Sequence, residues 1–503
     1  MIRKVLVANR GEIAVRVMRS CREMGILSVA VFSEADRKSL HVRYANEAYC
    51  VGPAPSTESY LNIDRILEVA KQSKVDAIHP GYGFLSENAQ FARLVTKAGI
   101  KFIGPSAEAI NDMGDKLTAR KLMTKEGVQV VPGTKENVKD PDRLKSVAAE
   151  IGYPVMLKAS AGGGGKGMRL VHSESELVSS YNMAKSEALS AFGDDAIYVE
   201  KYITSPHHIE FQILGDEHGN YVHLFERECS VQRRHQKVVE ETPSPLMTPA
   251  LRQKMGEQAI AAAKTVNYVG AGTVEFLVDD HLNFYFLEMN TRLQVEHPIT
   301  ERVTGLDLVK AQINVARGLP LPFKQEDLIQ NGHAIECRIY AEDHQNNFMP
   351  CPGKVLNITE PLGLGIRTDG YVYEGYEIPF HYDPLISKLI AWAPSRAEAI
   401  ERMKRALYEY KITGVKTSIP FLSKIMEADD FVKGKYTTHF IEKNMDFLLS
   451  EGDCSDYCED IALLVAYLDY TEKMSNQAAT STQKTPAQSA WKDFARRRNI
   501  IRF

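Results

Sequence analysis

Three groups of residues in this chain have the types and spacing to do chemistry. The first is the run Gly162-Gly163-Gly164-Gly165-Lys166-Gly167, which follows an apolar stretch ending at Lys158-Ala159. Glycines lack the Cβ that holds a backbone off an anion, so successive N–H groups can close on a phosphate. Lys158 and Lys166 flank the run with the matching charge. It is not a Walker A loop: counting back from Gly165-Lys166 puts Ser160 at the required first glycine, and Gly167 replaces the Ser/Thr that would hold Mg²⁺. The run reads as a cover over phosphates, with a surface loop as the alternative. The second group is Glu275, Glu288 and Asn290. Residues two apart on a strand share a face, so Glu288 and Asn290 project together. Glu275 joins them if a four-residue turn at 279–282 pairs it near Phe286, whereas a one-residue slip sends it to the opposite face. Carboxylates among Phe276, Leu277, Phe284, Phe286 and Leu287 are costly to bury alone, and oxygen ligands of this kind suit Mg²⁺ on nucleotide phosphates. The third group is Arg292 and Glu296 with Lys237 and Arg338. If the three cations converge, they make an anion pocket with a carboxylate inside it, which can serve as a general base. Spacing alone leaves that pocket and an exposed i,i+4 pair equally open.

The elements that must position these groups follow from the apolar patterning. Short buried strands are expected over 4–8, 28–32, 77–79 and 101–103, with a helix over 13–24 between the first two; this alternation implies a parallel sheet. The first strand–helix turn, Ala8-Asn9-Arg10-Gly11-Glu12, has a single glycine and fails the G-x-G-x-x-G dinucleotide pattern. A helical pattern covers 113–133. Strands follow over 155–159, 197–203 and 209–214, then a hairpin of 273–278 with 283–288, then a helix over 306–317. From about 332 the chain reads as α+β, ending near 444. Beyond it, 460–473 is helix-like with Ile461, Leu464, Val465 and Leu468 on one face. Residues 475–490 have linker composition, and Trp491 and the basic run Arg496-Arg497-Arg498 close the chain.

A chain of 503 residues exceeds a single hydrophobic core and implies about three domains. Its 44% hydrophobic and 25% charged residues are ordinary globular values. The net charge of −4 gives no global attraction to nucleic acid or anionic membrane. Seven dispersed cysteines do not form a disulfide framework, and Cys454 and Cys458 lack the second pair a zinc site wants. With no signal-peptide pattern and no apolar stretch of about 20 residues, the expectation is a soluble protein of the reducing cytoplasm.

Taken together, these segments closely resemble the biotin carboxylase family, the ATP-grasp component of biotin-dependent carboxylases. The likeness is carried by Ala8-Asn9-Arg10-Gly11-Glu12-Ile13-Ala14, by His79-Pro80-Gly81-Tyr82-Gly83-Phe84-Leu85-Ser86-Glu87-Asn88, and by Met113-Gly114-Asp115-Lys116. It continues through the glycine run, Glu226-Arg227-Glu228-Cys229-Ser230-Val231-Gln232-Arg233-Arg234-His235-Gln236-Lys237, the segment from Glu288 to Pro298, and His333-Ala334-Ile335-Glu336-Cys337-Arg338. It spans residues 1 to about 445. The resemblance implies an N-terminal parallel-sheet (Rossmann-like) domain over 1–113 and an ATP-grasp domain over 114–330 with a glycine-rich lid at about 131–203. A C-terminal α+β domain over 331–446 and a helical, flexible tail over 447–503 would complete the chain. It further implies that Lys116 and Lys158 hold ATP phosphates under a lid containing Gly163, Gly164, Gly165, Lys166 and Gly167; Lys166 stands where many members have Arg and keeps the charge. Glu200 would face the adenine, and His208, Gln232 and His235 the ribose–phosphate side. Glu275 and Glu288, with Asn290 close by, would bind Mg²⁺ or Mn²⁺. Lys237, Arg292, Gln294 and the backbone of Val295 would hold bicarbonate, and Glu296 would be the base that deprotonates it as it attacks the γ-phosphate. The resulting carboxyphosphate would release CO₂, and the freed phosphate would take the proton from biotin N1′. Arg338 would stabilise the biotin enolate, with Tyr82 near the ring.

The resemblance also bears on partners. There is no biotinylation motif of the Ala/Val-Met-Lys-Met type, the nearest stretch being Leu122-Met123-Thr124-Lys125. Biotin is therefore expected on a separate carrier protein, with the carboxyl group passed on to a separate carboxyltransferase subunit. Arg19 and Glu23 lie on the helix that forms part of the family's dimer contact and imply a homodimer, a solvated i,i+4 pair being the alternative. The tail resembles that of the extended biotin-carboxylase component of two-part pyruvate carboxylases and of similar acyl-CoA carboxylases. Trp491 and Arg496 to Arg498 would dock a partner there, or form an inert tail. Two other functions stay open at this level: another ATP-grasp ligase working through an acyl phosphate, and a non-catalytic nucleotide-binding scaffold.

Overall fold

The computed structural model describes residues 2–134, 137–138, 140–160, 167–450 and 463–471. The chain divides into two units, Met1–Leu449 and Ser450–Phe503. In the second, 463–471 is helical, inside the expected 460–473; Cys454, Cys458, the linker, Trp491 and the arginine run lie outside the described residues. Among the described residues no helix is long and apolar enough to cross a membrane.

The first unit opens with a five-stranded parallel sheet in the order Glu47–Gly52, Leu27–Ser33, Lys4–Val7, Ala77–His79, Lys101–Phe102. Val5, Leu6 and Val7 are all fully buried, as a parallel strand covered on both faces requires. The helix Gly11–Glu23 lays Ile13, Ala14, Val17, Met18 and Cys21 against it. The turn between them holds protein charge where a dinucleotide fold would hold phosphate. Arg10 Nε donates to the buried Asp36 at 2.5 Å, and Tyr60 donates to the same carboxylate at 2.6 Å.

The helical pattern expected over 113–133 resolves differently. One helix, Ala107–Gly114, ends, and a second, Lys116–Lys125, begins after Asp115, whose side chain accepts from Thr118 N at 2.7 Å. The N-cap breaks the run and leaves Lys116 on the first turn of a helix, where the dipole favours an anion. Beyond Gly127 (φ +75°) the chain is extended, with Val130 bridged to Phe286.

The centre is an eight-stranded antiparallel sheet. Its order is Phe284–Asn290, Gly270–Val278, His207–Gly215, Tyr221–Arg233, Gln236–Thr242, His333–Tyr340, Leu385–Ala393, Ile366–Gly370. Strands on either side of residue 330 thus share one sheet. A smaller antiparallel sheet, Met168–Val171, Val155–Ala159 and Ile197–Lys201, packs on the helix Glu174–Phe192. Gly167, at its edge, has φ +70°, and a Cβ there would lie 2.8 Å from Ala159 Cβ, so only glycine closes that turn. Residues 162–166, including Gly163, Gly164, Gly165 and Lys166, lie outside the described residues. The parallel-sheet domain, the ATP-grasp sheet and the C-terminal α+β region match the expected fold class.

The C-terminal region is fastened to the central sheet by charge. Glu241, on the strand Gln236–Thr242, lies 2.5 Å from His333 Nε2, accepts a fork from Arg396 at 2.8 and 2.9 Å, and accepts from Tyr436. Burial pushes this carboxyl up, but His333 and Arg396 outweigh it and hold it at about 2. A depressed carboxyl stabilises the fold above its unfolded value of about 4.5 and loses that contribution as pH falls towards about 2. Glu241→Gln should therefore cost about 3 kcal/mol near neutrality. In thermal unfolding at a series of pH values, its gap from the wild type should narrow as pH drops below about 5.

Candidate active site

A cavity of about 1250 Å³ opens between the central sheet, the small sheet, the N-terminal turns and the C-terminal region. That exceeds the several hundred Å³ of a single small-molecule pocket and leaves room for more than one substrate. Tyr82, Lys116, Lys158, Glu200, His208, Gln232, His235, Lys237, Glu275, Glu288, Asn290, Arg292, Gln294, Val295 and Arg338 all line it. Glu296 sits just behind the wall with 0% of its surface exposed.

The hairpin register corrects one expectation. The loop between its strands is five residues long, with Val278 opposite Phe284, so Phe276 rather than Glu275 pairs with Phe286. On that register alone, Glu288 would share the core-facing side with Phe286. A bulge at Leu287 adds one residue, and Glu288 then stands opposite Glu275 and Asn290 opposite Thr273. The bulge re-aims both side chains from core to cavity, so the carboxylates share a face by a route that a regular alternation does not contain.

Glu275 lies 2.9 Å from His208 Nε2, accepts from Lys237 at 2.9 Å and from Asn290 at 2.9 Å. Among the described residues nothing hydrogen-bonds to Glu288 or pairs with it. Burial, then the charge of Glu275, pushes the Glu288 carboxyl up. Two facing carboxylates, one without a partner, fit a divalent cation. On the small sheet, Lys158 pairs with Glu200 at 2.6 Å and Arg120 pairs with the same carboxylate. Gln232 meets His208 Nδ1 at 2.7 Å.

The convergence that spacing left open is present for two of the three cations. Lys237 Nζ lies 2.7 Å from Glu296 Oε1, and Arg338 Nη2 lies 2.9 Å from Oε2. Burial pushes Glu296 up, but Lys237, Arg338 and Arg227 outweigh it and hold the carboxyl well below its usual range. Arg292 does not bond Glu296. It donates to Glu87 at 2.7 Å, to Asn290 at 3.0 Å and to Gln294 Oε1 at 3.1 Å, so the i,i+4 pair is not formed. The reason is local: residues 291–296 are irregular, and the helix His297–Thr304 starts only after Glu296. Among the described residues Gln294 Nε2 is buried without a partner, a donor on the cavity wall beside Arg292. Tyr82 donates to Glu12. On the surface, Glu23 pairs with Lys310 rather than Arg19.

Several residues beyond those expected shape the site. Lys237 also pairs with Glu210, which is held by the fully buried Arg227. Arg338 Nε donates to Glu240 at 2.6 Å. Burial, against the pull of Arg338, pushes Glu240 up to about 7. A usable sequence signal existed for Glu210. His208, Glu210 and Gln212 alternate with Ile209, Phe211 and Ile213 on one strand, and period two places the three polar residues on one face.

Known proteins share this arrangement's sequence and fold. Residues 1–110 match the model for the biotin carboxylase N-terminal domain, 115–324 that for the carbamoyl-phosphate synthase L chain ATP binding domain, and 336–443 that for the biotin carboxylase C-terminal domain. The chain is 58% identical to a pyruvate carboxylase subunit of Methanothermobacter thermautotrophicus over 444 residues, which is 88% of this chain and 90% of that one. It is 53% identical to biotin carboxylase 1 of Bacillus subtilis over 443 residues, 88% of this chain and 98% of that one. Among solved structures, the biotin carboxylase domain dimer of Hydrogenobacter thermophilus 2-oxoglutarate carboxylase, in complex with MgADP, ADP and bicarbonate, superposes with a TM-score of 0.87 at 50% identity, covering 90% of this chain and all of that one. The Campylobacter jejuni biotin carboxylase in complex with a β,γ-ATP ligand gives 0.86 at 49%, covering 88% and 99%.

Proposed function

The chain belongs to the biotin carboxylase family, and we propose that it carboxylates biotin by setting Glu296 against bicarbonate between Lys237 and Arg338. The enzyme is an ATP-dependent ligase that uses bicarbonate and biotin. The observation that carries the residue assignment is the clamp on Glu296: a fully buried carboxylate, kept anionic by two cations, behind a wall that offers the free Gln294 amide and the Arg292 guanidinium. Clamped so, Glu296 is a weak base. A bicarbonate ion drawn to Arg292, Gln294 and the Val295 backbone competes for Lys237, and each share of positive charge it takes returns basicity to Glu296. Deprotonated bicarbonate then attacks the ATP γ-phosphorus, the bond to the bridging oxygen breaks and ADP leaves, and the carboxyphosphate so formed breaks down to CO₂ and phosphate. The phosphate takes the proton from biotin N1′, and the biotin enolate, facing Arg338, adds to CO₂.

Lys116, on its helix N-terminus, and Lys158 would hold the ATP phosphates, with Gly167 at the foot of the lid. Glu200, His208, Gln232 and His235 line the nucleotide side. Glu275 and Glu288, with Asn290, would hold Mg²⁺ or Mn²⁺, which neutralises phosphate charge when bound. Biotin arrives on a carrier protein, and the chain works as a dimer, the form of the Hydrogenobacter thermophilus domain. A cytoplasmic setting and a carboxyltransferase partner complete the proposal, as does the division at about 113, 330 and 446. The direct test is ATP hydrolysis with and without bicarbonate and free biotin. Stimulation by both is expected; hydrolysis indifferent to bicarbonate would remove Glu296 from the role of base.

A further inference from the structure

The strand Leu385–Ala393 carries Lys388, directly opposite Arg338 on the neighbouring strand. Like charges facing each other across a sheet are destabilising, and a lysine in an alternating strand ordinarily points to solvent. Lys388 is instead 0% exposed. Its ammonium donates to the carbonyl of Val295 at 2.8 Å and pairs with Glu12 at 3.1 Å. Glu12, itself buried on the first turn of the helix Gly11–Glu23, accepts from Tyr82 through the same oxygen, and the Tyr82 ring centroid is 5.9 Å from Lys388 Nζ. One buried cation thus touches residues from the beginning, the middle and the end of the first unit.

What Lys388 touches matters because residues 291–296 belong to no ladder. The carbonyl of Gln294 is taken by His297 Nδ1 at 2.7 Å and that of Val295 by Lys388. The Val295 carbonyl shares a peptide plane with the Glu296 N–H, so anchoring it fixes the entry to Glu296 directly. On the same face, Glu336 is fully buried with neither carboxyl oxygen hydrogen-bonded. Burial pushes the Glu336 carboxyl well up against the pull of Lys388, and the negative charge that keeps the ammonium favourable is that of the buried Asp369, directly opposite Lys388 on the strand Ile366–Gly370.

We propose that Lys388 is a positioning residue that ties the bicarbonate-binding turn at Val295 to the biotin wall at Tyr82 through Glu12. The inference rests on the assignment of Gln294 to Glu296 and of Tyr82 given above. Lys388 touches neither substrate and acts by holding both walls in one register. Lys388→Met keeps the length and removes the charge. The full chain is assayed for bicarbonate-stimulated ATP hydrolysis, with bicarbonate, free biotin and ATP titrated in turn, and for its Tm. The KM for bicarbonate and that for biotin should each rise on the order of ten- to a hundred-fold, as loss of a charged hydrogen bond implies. The KM for ATP, whose residues lie on other elements, should stay within about two-fold. If Lys388→Met does not fold, the double variant Lys388→Met/Glu12→Gln removes both charges together and keeps an acceptor for Tyr82. There the bicarbonate KM should still rise because Val295 has lost its donor, and the biotin KM should rise with it because Tyr82 is no longer tied to the turn. A bicarbonate KM within about two-fold of the wild type in a folded variant, or equal rises for all three substrates with a fallen Tm, overturns the proposal. Wild-type hydrolysis that ignores bicarbonate would overturn the assignment of the turn itself, a separate outcome.

Discussion

Glu296→Gln should lower bicarbonate-dependent ATP hydrolysis by roughly 10²- to 10⁴-fold in kcat, the range a positioned base contributes, while ATP still binds. The two effects separate because the groups are separate. Glu296 contacts Lys237 and Arg338, whereas the proposed nucleotide side consists of Lys116, Lys158, Glu200 and His208 on other strands and helices. Glutamine preserves volume but offers one acceptor where the clamp uses two, so one cation loses its contact with this side chain and keeps only its other carboxylate partners; part of the loss is therefore one of geometry. Glu296→Asp, which retains the charge but withdraws it by a methylene, should recover less than a tenth of the rate, because misplacement of about 1 Å is worth about a hundred-fold. The pH profile adds an independent reading. With its carboxyl held well below the usual range, Glu296 stays ionised in the resting enzyme as pH falls from about 8 to about 6. An acid limb of kcat/KM in that window comes from another group. ATP binding, followed by nucleotide-quenched fluorescence, should be unchanged in Glu296→Gln; its loss together with turnover would contradict the role of base.

Part of this was legible in the amino-acid sequence and part was not, for physical reasons. Strands marked by a short apolar run, such as Val155–Ala159 and Ala77–His79, fall where the apolar pattern puts them. The helix break at Asp115 was written in an N-cap residue but overridden by the apolar pattern around it. The bulge at Leu287 leaves no trace in composition, because the extra residue is defined by the partner strand. The convergence on Glu296 is non-local in the same sense. Lys237 and Arg338 approach it because Gln236–Thr242 pairs with His333–Tyr340, about a hundred residues on. Only the resemblance of whole segments reached across that distance. Lys388 was invisible to both kinds of reading: as a lysine between Ser387 and Leu389 it looks like the polar half of an alternation, and its burial is a property of the three elements that meet over it.

Arg338→Gln should divide the two halves of the reaction. Arg338 is gripped at one end by Glu240, 2.6 Å from Nε and itself fully buried, and presents Nη2 to Glu296 at 2.9 Å. A guanidinium fixed in this way needs no reorganisation when negative charge develops on biotin, and removal of such a preorganised donor is worth roughly 10²- to 10³-fold. Formation of carboxybiotin from free biotin and labelled bicarbonate should fall by that factor. Hydrolysis of ATP in the presence of bicarbonate alone should fall by a smaller factor, because Lys237 still pairs with Glu296 and keeps the base in place. Arg338→Lys should not rescue carboxybiotin formation: an ammonium is a single point of charge and cannot present the Nε/Nη2 edge that grips Glu240 while also reaching Glu296. If lysine restores the rate, charge alone suffices and the fork held by Glu240 has no role. If both half-reactions fall equally in the glutamine variant, Arg338 acts on Glu296 rather than on biotin. The geometry favours the first division because Arg338 lines the cavity while Glu296 stands behind the wall, so it is the guanidinium, not the base, that the second substrate can reach.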